Sequence, residues 1–119
     1  MARLARIIVL ALVLPTTPLA AEERGWQVAG ALGLMQFVVV DSARARDEAL
    51  YRDAIRSLCP AEGTCFLRFF TNSRGVAPAV PLPDAIAAEP AALYSRSAKQ
   101  GNEFFQWSCR LAPSGGNCF

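Results

Sequence analysis

The chain has 119 residues, with 12 basic side chains (eleven Arg and Lys99), 10 acidic ones and no His. Without His, the usual general base, His-based catalytic triads and most zinc sites are excluded. Setting aside Arg3 and Arg6 leaves ten charges of each sign, which argues against a nucleic-acid binder that works by neutralising phosphates.

Those two arginines precede an apolar run from Ile7 to Leu14, which Pro15 breaks ahead of the small residues Leu19-Ala20-Ala21. The order is that of a secretory signal peptide, and the run is too short to span a bilayer. We expect residues 1–21 to be removed, with cleavage after Ala20 or Ala21. No cysteine lies near that point to carry a lipid, so no stable membrane anchor is expected to remain. Residues 22–119 then read as a single disulfide-stabilised α/β domain, periplasmic or secreted, of a size that supports one modest core. The Ala- and Arg-rich composition fits a GC-rich bacterial genome.

From Trp26 to Met35 the chain is apolar but interrupted by Gly30 and Gly33. It either extends the following strand or forms a bent strand of its own, and the glycines permit a bulge. Phe37 to Val40 is apolar and β-branched without alternation, the pattern of a strand covered on both faces. Asp41 or Ser42 can cap the helix that follows. Leu50, Tyr51, Ala54, Ile55 and Leu58 recur at helical spacing and define its apolar face. Arg44, Asp47, Glu48, Arg52 and Arg56 fall largely off that face, with Glu48 four residues ahead of Arg52 in the favourable ion-pair orientation. Cys59-Pro60 stops the helix and Gly63 turns the chain into a second strand, Cys65 to Phe70. A strand, helix and strand of these lengths predict a right-handed crossover and parallel pairing.

Thr71 to Gly75 is a turn cluster, and Ala77 to Pro83 is a Pro-rich extended connection. Asp84 is placed to cap a second helix with apolar positions Ile86, Leu93 and Tyr94, kinked or divided at Pro90. Gly101-Asn102 ends that element, and Phe104 to Arg110 forms the last strand. The expected fold is thus a small α/β (or α+β) domain in the order β-α-β-α-β. It has a three-stranded sheet, with room for an extra N-terminal strand, and two helices packed on one face.

All four cysteines lie beyond the expected leader, which reads as two disulfides. Of three possible connectivities, sequence proximity and the intervening turn residues favour Cys59–Cys65 and Cys109–Cys118. The spacing Cys59-Pro-Ala-Glu-Gly-Thr-Cys65 suits a zinc site poorly, and there is no Cys-x-x-Cys redox pair. Neither metal nor cofactor is expected.

Period-two patterning places Cys65, Leu67 and Phe69 on one side of their strand and Phe66, Arg68 and Phe70 on the other. In the last strand Phe105, Trp107, Cys109 and Leu111 oppose Phe104, Gln106, Ser108 and Arg110. The Cys and Trp sides form the core beneath the helices. The opposite sides combine into an aromatic face carrying Arg68 and Arg110, suited to an aromatic or sugar ring, a carboxylate or a partner surface. The competing arrangement covers that face with residues 26–35 or the Pro-rich connection and pairs Arg68 with an acid. Asp41 is a further candidate, since ligands gather at the carboxyl ends of parallel strands.

The candidate binding residues are therefore Phe66, Arg68, Phe70, Phe104, Gln106, Arg110 and Asp41, with no catalytic residue among them. The expected role is a binding or interaction module of the bacterial envelope, a monomer or weak dimer that meets an unknown protein or small-molecule ligand. The alternatives are a small His-independent hydrolase-type enzyme built on Asp41, Arg68 and Glu103, and a structural or assembly protein of the envelope.

Overall fold

The computed structural model describes residues 3, 5, 8–13, 23–112 and 116–119. The expected cleavage site, Leu19 to Ala21, lies outside the described residues. Residues 8–13 are exposed and without regular structure. Among the described residues no helix is long and apolar enough to cross a membrane.

A small α+β domain is built on one five-stranded sheet with strands in chain order: β1 (Trp26–Leu32), β2 (Met35–Val40), β3 (Cys65–Thr71), β4 (Pro90–Arg96) and β5 (Glu103–Trp107). Only β2 and β3 run parallel; the other neighbours are antiparallel. The crossover between β2 and β3 carries α1 (Glu48–Leu58), as a parallel connection requires.

The sheet has two more strands than the expected three. One is the N-terminal strand for which the sequence left room: residues 26–32 form a strand of their own, which the turn at Gly33-Leu34 folds back on β2. Its register slips between Val28 and Gly30, so Ala29 is a bulge. The other addition replaces helix by strand. The helix starting at Asp84 stops after four residues (α2, Asp84–Ala87), and Pro90 opens β4. Pro is tolerated at the first position of a strand, where its missing N–H costs least. The last strand also ends earlier than expected, at Trp107, because the chain turns at Ser108: Leu111 N and Ala112 N both donate to the Ser108 carbonyl, at 2.9 Å.

Helix α1 lays Leu50, Tyr51 and Ala54 on one sheet face. There they meet Trp26, Val38, Val40, Leu67, Phe69, Ala92 and Tyr94 in the main core, with Ile55, Leu58, Phe105 and Trp107 at its margin. The helix is capped by Asp47, whose carboxylate accepts from Ala49 N at 3.1 Å. Asp41 instead caps a single 3-10 turn, Ser42–Arg44, by accepting from Ala43 N at 3.1 Å. The expected cap thus serves the turn ahead of the helix, and Asp47, read as part of a solvated face, does the capping. The Trp26 indole N–H donates to Asp53 Oδ2 at 2.9 Å and ties the start of β1 to α1.

The two helices lie on opposite faces of the sheet, not on one. Ile86 of α2 is fully buried with Val39 and Phe70, and Ala29, Phe37, Val76 and Leu82 pack around them in a second, smaller cluster. Asn72 shapes the start of this covering connection by bonding both N and O of Val76. Disulfides join Cys59 to Cys65 and Cys109 to Cys118, with Cα separations of 5.6 and 4.9 Å. The first closes the turn from α1 into β3. The second holds the tail beside β5, where Trp107 and Cys118 form a parallel bridge.

Candidate binding face

The face opposite α1 is divided, and the strand register shows where. Reading across the sheet, Val39 lies beside Phe70, and both are buried beneath the connection between β3 and β4. The next row is Gly30, Phe37, Arg68, Leu93 and Gln106. Phe37 and Gly30 belong to the covered part. Phe37 stacks on Phe70 at a centroid distance of 6.3 Å, and a Cβ on Gly30 would sit 2.5 Å from a Val80 methyl. Arg68, Leu93 and Gln106 lie beyond that cover. The outermost row, Leu32, Met35, Phe66, Ser95 and Phe104, crosses all five strands. Leu32 is 59% and Phe104 46% exposed, while Met35, Phe66 and Ser95 are half-buried. Directly opposed residues of adjacent strands stand about 4.5–5.5 Å apart at Cβ, so these side chains form an apolar strip interrupted at β4 by the Ser95 hydroxyl. Leu34 extends it at the hairpin tip, 68% exposed.

Arg68 is exposed in the middle of this open area. Among the described residues no carboxylate comes within ion-pair distance of it; the ion pairs join Arg44 to Asp47, Arg52 to Glu48 and Arg56 to Asp53, all on the other side of the sheet. A guanidinium flanked by aromatic and aliphatic side chains offers a planar surface for stacking and five N–H donors for a carboxylate.

The structure brings together Phe66, Arg68, Phe104 and Gln106 on this open area. Phe70 shares their parity but is buried. Arg110 is elsewhere: its guanidinium donates to Thr71 Oγ1 at 2.9 Å and to the Pro90 carbonyl at 3.0 Å, at the carboxyl end of β3. There it neighbours Glu89, whose carboxylate accepts from the Thr71 and Ser73 hydroxyls, each at 2.8 Å, and from Ser73 N. Partial desolvation pushes the Glu89 carboxyl up, but the Ser73 and Thr71 hydroxyls, the Ser73 amide and Arg110 outweigh it and hold the group below the ordinary glutamate range. This network closes the entry to β4. Asp41 stays with its 3-10 turn.

Asp41, Arg68 and Glu103 do not converge. Asp41 follows Val40, which pairs with Thr71 at one end of β3; Glu103 pairs with Arg96, which pairs with Cys65 at the other. At about 3.3 Å per residue the two acids are roughly 20 Å apart along the strands, and Glu103 lies on the helix side, bonded to Tyr94.

Leu32, Met35, Leu93 and Ser95 belong to the open area although sequence patterning does not single them out, because it does not show where their strands run. Ala91-Ala92-Leu93-Tyr94-Ser95-Arg96 carries no apolar/polar alternation that would mark it as a half-buried strand. Among the described residues no group of three or more acidic or Cys side chains is placed to hold a metal. No family model, curated protein or solved structure matches the chain.

Proposed function

We propose that the protein acts, after export, as an interaction module that docks the acidic, apolar-flanked segment of a partner protein on the open half of its sheet. The observation that carries this reading is the exposed Arg68, without an ion pair among the described residues, set against a largely apolar row that crosses all five strands. Exposed apolar patches of this kind mark contact surfaces in small proteins. The central cation selects for acidic chemistry, since an approaching carboxylate gains a charge-assisted, bidentate hydrogen bond. The two disulfides support an oxidising compartment, in keeping with the leader-like start of the chain.

Site-specific photo-crosslinking in the source cells tests it, because the method captures a partner whatever its identity. A photoreactive residue at Phe104 is expected to give a discrete higher-mass adduct in the envelope fraction, and one at Arg46 is not. Arg68→Glu should abolish the adduct. Equal labelling from both positions, or an adduct indifferent to Arg68→Glu, would overturn the reading.

A further inference from the structure

On the opposite side of the sheet, the second half of α1 stands over the edge formed by β4 and β5 and leaves a recess of about 500 Å³, a volume in the range of small-molecule sites. Its floor is apolar: Ile55, Phe105 and the Cys59 half of the first disulfide. Its rim carries Arg52, Arg56 and Arg96.

The three guanidinia are not equally committed. Arg96 donates from Nε to the Gly63 carbonyl at 2.9 Å and from one Nη to the Pro60 carbonyl. Those bonds fix its position and leave three of its five N–H donors. Arg52 bonds Glu48 at 2.9 Å on the outer surface of the helix. Arg56 is 75% exposed and reaches Asp53 only at 3.9 Å, so it turns inward at little cost. One carboxylate faces this group: Glu103, which accepts a 2.7 Å hydrogen bond from the Tyr94 hydroxyl. That bond occupies Oε2 and leaves Oε1 able to accept from a ligand.

We propose that this recess binds a small aromatic carboxylate bearing a hydroxyl. Its ring would lie on Phe105 and Ile55, its carboxylate would meet Arg56 and Arg96, and its hydroxyl would donate to Glu103. With Arg52 held by Glu48, the loosely paired Arg56 and the anchored Arg96 face Glu103 and leave a small cationic surplus, and a ring fits an aromatic and sulfur-bearing floor better than a sugar or a bare phosphate does. A purely anionic ligand would meet the Glu103 charge, which is why a donor is required at the far end. The site is independent of the Arg68 face.

Amide NMR titration of the protein as purified from the source cells, with disulfides intact, provides the test, using para-hydroxyphenylacetate and its neutral alcohol analogue, tyrosol. The acid is expected to shift the amides of Cys59, Ala61, Tyr94, Arg96 and Phe105 and to bind about fivefold tighter than the alcohol, the ratio set by an ion pair at a half-open site. That preference should fall to about twofold or less in the double variant Arg52→Gln/Arg56→Gln, which leaves Arg96 to face the carboxylate and whose side chains are exposed and do not hold the fold. No shifts at these amides up to tens of millimolar, equal binding of acid and alcohol, or a preference unchanged in the variant would each overturn the proposal. Shifts centred on Arg68 would move the anion to the other face and overturn it equally.

Discussion

Tyr51 is the largest fully buried side chain among the described residues. It is fully buried, and the rings of Phe69, Phe105 and Trp107 meet it edge-on at 5.0, 5.8 and 4.9 Å. Such contacts are worth about 0.5–1.5 kcal/mol each beyond the area buried. Its hydroxyl donates to the Ala45 carbonyl at 2.5 Å, which secures the turn that leads into α1. Tyr51→Phe keeps the rings but strands that buried carbonyl, and we expect a loss of about 1–3 kcal/mol in denaturant unfolding. Burial pushes the Tyr51 hydroxyl well above the ordinary tyrosine range, against a smaller pull downward from Arg110. A raised folded value means that this stabilisation is complete below the unfolded pKa of about 10 and is lost as pH climbs beyond it. Thermal melts should therefore fall off on the alkaline side of that value, and the fall should be shallower in Tyr51→Phe. Some slope should remain, because burial and the Glu103 bond also raise Tyr94. Identical slopes in the two proteins would refute the assignment.

At the scale of elements, the disulfides staple the two places where secondary structure changes direction. Short loops of this kind contribute about 2.5 kcal/mol each in the chain-entropy view. Cys59→Ser/Cys65→Ser should lose that amount and speed hydrogen exchange from the end of α1 into β3. Cys109→Ser/Cys118→Ser should lose a similar amount, with exchange rising at Trp107 and the tail. A cost below about 0.5 kcal/mol, the level of ordinary surface changes, would show that the closures add nothing. Both closures were legible in the sequence, as was the β2–α1–β3 unit, because adjacent cysteines and a 3.6-residue apolar period are local signals. The β1–β2 hairpin was legible only in part: Gly30 and Gly33 left room for a separate, bulged N-terminal strand, but the turn Gly33-Leu34 lacks the Asn-Gly or Asp-Gly chemistry that would have decided against a simple extension of β2. Strand β4 was not legible. Its Ala-rich start suits a helix, and only pairing with β3 and β5 overrides that preference. The candidate binding face was half legible for the same reason. Alternation within β3 and β5 put Phe66, Arg68, Phe104 and Gln106 on one side, while the burial of Phe70 depends on a connection that no local pattern places over it.

For the whole molecule, the sheet's two faces do different work. One is sealed by α1 and holds most of the buried apolar area, each fully buried side chain there contributing about 1.5–3 kcal/mol. The other is sealed only over Val39 and Phe70, by Ile86 and its neighbours. Most fully buried side chains lie in the sealed parts, while the rest of the second face is half-buried or exposed. Arg68 is where this division is most exposed to test. A guanidinium buried against the sheet would need an acidic partner, and deleting it would strand that partner at a cost of several kcal/mol. In this fold Arg68 is exposed and makes no ion pair among the described residues. Arg68→Ala should therefore melt within about 0.5 kcal/mol of the parent, while Ile86→Ala, which opens a cavity in the sealed part, should lose about 2–5 kcal/mol. The contrast between the two melts is the measurement. If Arg68→Ala collapses the fold as Ile86→Ala is expected to, the open face is closed in solution by something that pairs with Arg68, and the docking surface does not exist.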